Sequence, residues 1–493
     1  MTKHKTLGQV FTPQWIISEI LDLLAYNNEN ILEKYILEPS SGDGAFLLEI
    51  VTRYIDACVV KNLETSEIKQ HLEKYIYAVE IDEIEYQKSV QNLNKFVKDK
   101  LGIEEDLNWN VYHQNTLNFY RNYTNFFDFI VGNPPYIRIH NLDANTRAIL
   151  KQNFLFSEGT IDIYLSFFEM GFKMLKNDGL LGYITPNSYL HNSSYSLFRE
   201  YLKNGKLVSK LIDFKANKIF KGFSTYTAIT VINRNNTDNS FEYKELIKNK
   251  IEFINTISFE SLSKKDWSFT NSDNEDFLTE IERDKNFAVK DFFDVQYGFA
   301  TLRDKIFISK IVGYNDDLAY FNGFLIEKKI LKNVVKGSKF KGIINENEKI
   351  LFPYELTNGR YTVISEEKLI NEFPNAYQYL LKNKEELESR DIDKKAVWYE
   401  FGRSQGVQSI HQEKIVLSTL VNGQIDFYRV SEEVLMYSGL FIVKNKPNSD
   451  WKMIEEMLKS EEFYKYIRLT GKDFSGGYKS VTSKQIKEFK IKI

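Results

Sequence analysis

The tetrapeptide Asn133-Pro134-Pro135-Tyr136 is the stretch best equipped for chemistry, and it directly follows the apolar run FDFIVG, which reads as a buried strand. Consecutive prolines fix φ and restrict the residue before each of them, so neighbouring polar atoms are held in place before a substrate arrives. The side-chain oxygen of Asn133 and the backbone carbonyl of Pro134 are two acceptors suited to a planar amino group with two hydrogens. The exocyclic N6 of adenine is such a group. Its lone pair is delocalised into the ring, and acceptors on both hydrogens draw it toward sp3 geometry and aim it at an electrophile. Tyr136 can stack on a base drawn out of a duplex. No general base is needed beforehand, because the nitrogen becomes acidic once it carries positive charge. The bland alternative is a rigid turn after a strand.

A second motif, Glu38-Pro39-Ser40-Ser41-Gly42-Asp43-Gly44-Ala45-Phe46, follows the apolar run YIL. Glycines at 42 and 44 let the backbone come close to a ligand at a helix start. A full dinucleotide fingerprint and a phosphate-loop lysine are both missing, so nucleotide phosphates are not implied. The next apolar run, YIYAVEID, puts Glu80 at the carboxyl end of a strand, where it can accept hydrogen bonds from both hydroxyls of a ribose; Ile81 can lie against an adenine ring. A strand-end acid is otherwise a common turn residue.

These groups need a scaffold, and the first 235 residues supply one by alternating strand-like runs with helical patterns. QWIISEILDLLAY behind Pro13 reads as a helix; DIYLSFFEMGFKMLKNDG reads as an amphipathic helix stopped at Gly179, followed by the strand LLGYIT; KLVSKLIDF and AITVINR read as later strands. The polar stretch 234–240 marks a boundary, giving domains 1–240 and 241–493. The second half mixes short strands, lysine-rich turns and helices such as NAYQYLLKNKEELESR. The expected fold is an α/β Rossmann-like domain with a mixed, mostly parallel sheet, followed by an α+β domain.

Composition narrows the classes. Of 493 residues 43% are hydrophobic and 27% charged, an ordinary globular balance. A single cysteine, Cys58, excludes an internal disulfide framework, and six histidines without paired spacing give no expectation of a metal. The start MTKHKTLGQVFTP lacks a signal-peptide core and no apolar run is long enough to span a bilayer, so a soluble cytoplasmic protein with no membrane partner is expected. Net charge is −3, yet Lys328–Lys341 gathers six lysines and no acid, enough for a local phosphate-binding surface or merely a solvated face.

In order along the chain, GQVFTP (8–13), EPSSGDGAF, VEID, NTL (115–117), GNPPY and IFKGFSTYTAITVI (219–232) resemble the gamma-class adenine-N6 DNA methyltransferases, specifically their TaqI-like branch. The resemblance covers nearly all of the first 235 residues. It is looser in VVKGSKFKG, WYEFGRSQG and SGGYKSVTSKQIKEFKI, which are similar to recognition-domain segments. It implies S-adenosylmethionine as methyl donor, with Phe11 and Thr12 at its methionine part, Glu38 and Gly42 lining its pocket and Glu80 on the ribose. Phe220 would sandwich the extruded adenine against Tyr136, and Asp162 and Tyr164 belong to a segment that often lines the cofactor cleft. Where the family frequently has an acid on the cofactor's adenine amine, this chain has Asn115, a weaker neutral acceptor. The catalytic set is thus Asn133, Pro134, Tyr136 and Phe220, with Asn133 also beside the cofactor.

The implied partner is double-stranded DNA, bound by a monomer that moves a methyl group to adenine N6 by base flipping, as the modification enzyme of a restriction-modification system with a separate restriction endonuclease. Lys336, Lys339, Arg390 and Arg403 are the candidate DNA contacts, acting through phosphate neutralisation or base readout. Three rivals compete. Protein glutamine methyltransferases share NPPY but need no large second domain. A bifunctional restriction enzyme would need a nuclease domain, for which only chance E-x-K triplets such as Glu242-Tyr243-Lys244 exist. A catalytically dead DNA-binding protein would have no use for an intact NPPY.

Overall fold

The computed structural model describes residues 11–157, 162–220, 225–264, 267, 269, 272–284, 287–392, 396–474 and 476–492. Residues 8–10 of GQVFTP, 160–161 beside Asp162, 221–224 after Phe220 and 475 lie outside the described residues. The chain divides into two compact units, Met1–Ser272 and Asp273–Ile493.

The first unit is built on nine strands: β1 Ile36–Glu38, β2 Ile76–Glu80, β3 Asn110–His113, β4 Phe127–Gly132, β5 Leu175–Pro186, β6 Val208–Asp213, β7 Thr227–Asn233, β8 Ser240–Ile247 and β9 Lys250–Ser258. Their order is β3-β2-β1-β4-β5-β7-β6-β8-β9. The run β3-β2-β1-β4-β5 is parallel throughout, whereas β7 is antiparallel to both β5 and β6. β1, β4 and β7 are buried almost end to end, which is why the sequence shows them as continuous apolar runs rather than alternating ones. Helices α1 Gln14–Leu23, α2 Ala45–Val60, α3 Thr65–Tyr75 and α4 Glu83–Leu101 cover one face, contributing Ile17, Ile50, Leu72 and Leu93 to one core. The remaining helices used below are α5 Thr116–Phe119, α6 Ala144–Asn153, α7 Tyr164–Met174 and α8 Ser196–Asn204; α7 and α8 bring Phe168 and Phe198 to the core of the other face.

Two expectations change. The boundary falls at Ser272 and not at 240, because β8 adds in parallel to β6 and carries Phe241 and Tyr243 into a cluster with Phe259, Trp267 and Phe269. The polar stretch 234–240 is a sheet turn. Gly179 does not stop a helix: α7 ends at Met174 and β5 already begins at Leu175, with a register shift against β4 that bulges 176–179 outward between the Phe127↔Leu175 and Phe129↔Leu180 pairs.

In the second unit, one four-stranded sheet joins Phe293–Tyr297, Leu440–Lys444, Lys414–Leu417 and Phe427–Val430, all antiparallel. Another joins Ile308–Lys310, Glu348–Leu351, Leu331–Lys336 and Val434–Tyr437, the last pair parallel. Helices including Pro374–Lys382, Trp451–Lys459 and Glu461–Thr470 pack against two separate cores. Among the described residues no helix is long and apolar enough to cross a membrane.

Candidate active site

Strand order reverses at β1: β2 and β3 lie on one side, β4 and β5 on the other. In an open parallel sheet the connections then leave in opposite directions and open a crevice beyond the carboxyl ends. Glu38 ends β1, Glu80 ends β2, and Asn133 stands just past β4. The topology alone converges the three motifs singled out from sequence.

The turn after β1 is held from several sides. Ser41 N–H donates to the Val79 carbonyl at 3.0 Å, and Thr116 Oγ donates to the Pro39 carbonyl at 2.6 Å. Gly42 and Gly44 both have φ in the left-handed region, +52° and +87°, and a Cβ on Gly44 would come within 2.9 Å of Ser89 Cβ on α4. Gly42 thereby aims its N–H at Glu80 Oε2, 2.7 Å away, while Ile81 and Asp82 N–H groups donate to Glu80 Oε1 at 2.9 and 2.8 Å. Three backbone donors fix this carboxylate and leave capacity for a further donor, since each oxygen has two lone pairs. Burial still pushes Glu80 above the usual carboxylate range, against the pull of those donors.

Glu38 is only 1% exposed, and its Oε2 meets no hydrogen-bond partner among the described residues. Burial first, then the negative charges of Glu80 and Asp43, hold its carboxyl well above the ordinary value. Asp43 is itself raised, by burial and by Glu85. Lys88, paired with Glu85, offsets the half-buried Asp43 in part, whereas a buried acid such as Glu38 is costly unless something positive or hydrogen-donating completes it.

In the proline loop, Asn133 Nδ2 donates to Thr12 Oγ at 3.1 Å, and Ser40 Oγ donates to the Asn133 carbonyl at 3.3 Å. Thr12 is thereby tied to the loop, and the loop to the glycine turn. Tyr136 Oη donates to the Ile184 carbonyl at 3.2 Å. Phe11, Thr12, Glu38, Gly42, Glu80, Ile81, Asn115 and Asn133 all line one cavity of about 400 Å³, together with Pro135. That volume lies in the usual range for a small-molecule site. A cleft of about 600 Å³ in the same unit is lined by Tyr120, Phe172, Lys173 and Arg234, at the amino ends of β4 and β5, and shares no residue with it.

Several expectations need correction. Tyr136 and Phe220 do come together, but edge to face, with centroids 6.2 Å apart at 70°. Two rings that sandwich a base must be parallel and twice a stacking distance apart, so they are not arranged as a sandwich here. Asn115 Oδ1 takes the Leu117 N–H at 2.9 Å, capping α5, so one lone pair of that oxygen and the amide NH2 remain for a ligand in the cavity it lines. Asp162 and Tyr164 do not line the cavity. Asp162 accepts the Tyr195 hydroxyl at 2.6 Å and Tyr164 is fully buried in the core. Their helical neighbours Ile163 and Phe167 take the wall instead, a choice of helix face that an isolated TIDIY match cannot make. Leu142, Asp143 and Thr146, around the start of α6, also line the cavity, and no spacing in the sequence marks them.

The candidate DNA contacts behave differently from one another. Arg390 is buried at 6% exposure and donates to the carbonyls of Leu387, Thr301 and Trp398 at 2.8, 2.7 and 2.7 Å; burial lowers its guanidinium to about 10. It is a structural cation and cannot reach DNA without unfolding its surroundings. Arg403 is half-exposed and bonded to the Asp391 carbonyl and carboxylate. Lys336 lies 3.6 Å from Asp304 and over the Tyr437 ring, whereas Lys339 is exposed. Among the described residues, no group of three or more His, Cys, Asp or Glu could hold a metal ion.

Residues 46–220 match the family described as the Eco57I restriction-modification methylase. The type II restriction enzyme and methyltransferase RM.Eco57I of Escherichia coli is 25% identical over 393 residues, 72% of this chain and 39% of its own length. The type II methyltransferase M.BstVI of Geobacillus stearothermophilus is 23% identical over 466 residues, 86% of this chain and 79% of its own. The chain thus spans well under half of the first relative and most of the second. Among solved structures, the type IIL restriction-modification enzyme MmeI, determined in complex with DNA, superposes with a TM-score of 0.65 at 14% identity, covering 99% of this chain and 68% of that one. At that identity the likeness shows the fold.

Proposed function

We propose that this chain, a relative of the Eco57I restriction-modification methylases, is a DNA methyltransferase that methylates adenine N6 in double-stranded DNA, with the first unit catalytic and the second reading the target. The observation that carries the reading is the convergence of Glu38, Glu80 and Asn133 on one cavity.

The residues fit S-adenosylmethionine. Glu80 would accept the ribose hydroxyls, Ile81 would lie against the adenine, and the acid wall around Glu38 suits a cationic amino-acid end. Bound there, S-adenosylmethionine supplies an electrophilic methyl on sulfur. The work of the chain is positioning. Asn133 and the Pro134 carbonyl would accept the two hydrogens of adenine N6 and orient its lone pair, in a loop whose prolines and Thr12 and Ser40 contacts prevent it from relaxing. Tyr136, anchored through Ile184, would meet the base face once Phe220 turns from its edge-to-face position. Extrusion of the base costs a few kcal/mol of stacking and pairing, which contacts from the second unit, Lys336 and Lys339 among them, would offset.

The enzyme would act as a cytoplasmic monomer, without a metal, as the modification partner of a separate restriction endonuclease. The relatives named above lend nothing to the glutamine reading. Asn133→Ala tests the assignment: methyl transfer should fall by at least about 100-fold, with DNA binding by gel shift unchanged. Loss of DNA binding together with activity would mean the loop has been misassigned.

A further inference from the structure

The second unit holds a cavity of about 490 Å³ that the methyl-transfer reading does not use. Its wall includes Phe352, Tyr354, Tyr361 and His411, and the exposed Lys329 and Lys332 also line it. The arrangement is built rather than incidental. The His411 ring stacks on Tyr361 with centroids 3.9 Å apart at 19°. Tyr361 is itself clamped: its N–H donates to Gln408 Oε1 at 2.9 Å, and Gln408 Nε2 donates to its carbonyl at 2.8 Å. His411 Nε2 is buried and meets no hydrogen-bond partner among the described residues. Burial first, then Lys414 and Lys332, push the imidazole down to about 4, so at neutral pH the ring is uncharged. A buried polar nitrogen left without a partner is uncommon and calls for one.

Charge points the same way. Of the acids in the wall, Glu355 and Glu372 are taken by Lys368, and Glu433 is exposed. Lys329 and Lys332 are not ion-paired among the described residues, so an anion would find both available. An aromatic wall, one neutral directional nitrogen and two lysines match a planar heterocycle carrying a phosphate.

We propose that this cavity binds one nucleotide, its base edge on His411 Nε2 and its phosphate on Lys329 and Lys332. The nucleotide comes either from solution or from duplex DNA, as a residue turned out of the helix; only the second source rests on the DNA-binding reading above.

The test is calorimetric titration of dAMP, dCMP, dGMP and dTMP into the full chain carrying Asn133→Ala, which removes the amino-group site of the first unit. At least one nucleotide should bind. His411→Phe, which keeps the stack on Tyr361, should weaken it about tenfold, as loss of a buried hydrogen bond does; Lys332→Ala, a surface change, should weaken it as well. Mixed-sequence duplex DNA that displaces the nucleotide identifies an extrahelical residue as the source; binding undisturbed by DNA identifies the free nucleotide. Absence of binding by all four, or binding that neither variant weakens, overturns the proposal. So does binding seen in the wild type but lost on Asn133→Ala, since it then belongs to the first unit's cavity. Methyl transfer by the unsubstituted chain on the same duplex separates this failure from failure of the methyltransferase reading: transfer without nucleotide binding overturns only the present proposal.

Discussion

In the first unit two buried acids at strand ends, Glu38 and Glu80, line the cavity, and Glu38 keeps one oxygen without a partner among the described residues. The buried cations Arg390 and Lys414 of the second unit, like the fully buried Arg199 of the first, are instead bonded to backbone carbonyls: three for Arg390, and those of Ser431 and Val434 for Lys414. The same physics reads these two situations differently. A buried charge whose hydrogen bonds run to its own backbone is part of the scaffold, and removing it leaves carbonyls stranded. A buried acid left incomplete destabilises the free protein and is relieved by a ligand.

The largest effect is therefore expected at Arg390. Arg390→Met should destabilise the second unit by about 3 kcal/mol, as loss of a buried charge bonded to three carbonyls does, seen as a lower urea midpoint. If stability were unchanged while DNA specificity relaxed, Arg390 would be a base reader after all and the contrast would fail. Glu38→Gln should do the opposite in the free protein. Glu38 titrates above its ordinary 4.5 in the fold, so above pH 4.5 the native state holds a proton that the unfolded chain releases, and stability falls as pH rises until the folded value is passed. The glutamine variant should lose that decline yet bind S-adenosylmethionine about tenfold more weakly.

His411 carries the reverse sign. Its folded value of about 4 lies below its ordinary 6.5, so the second unit should lose stability as pH falls from 6.5 through about 4, and His411→Phe should abolish that loss in thermal melts. The smallest effect belongs to the surface. Lys339→Ala should weaken DNA binding uniformly across sequences and reduce the slope of log affinity against log salt by about 1. A variant that changed sequence preference instead would make Lys339 a reader.

What the sequence disclosed follows from how local each signal is. β1, β2 and β4 are legible because strands covered on both faces must be continuously apolar, and the residues that end them fall at the crevice by topology. Glycine and proline motifs report backbone conformation directly, and Gly42, Asn133 and Pro135 line the cavity. The face of a helix is less local: Ile163 and Phe167, not Asp162 and Tyr164, meet the cavity because α7 turns that side toward it. The burial of Arg390 is not legible in the sequence, because composition cannot say whether a lysine-rich, arginine-containing surface buries one of its cations. The boundary moved because β8 and β9 alternate apolar and polar residues like an ordinary edge hairpin, and only pairing with β6 assigns them to the first sheet.

One measurement bears most directly on the loop and cavity as an amino-group methylation site. The full chain is incubated with S-adenosylmethionine labelled in its methyl group and mixed-sequence duplex DNA, and the DNA is digested to nucleosides. Label should appear in N6-methyladenine and disappear with Asn133→Ala; label in a cytosine, in protein glutamine, or undiminished by that substitution would contradict the account.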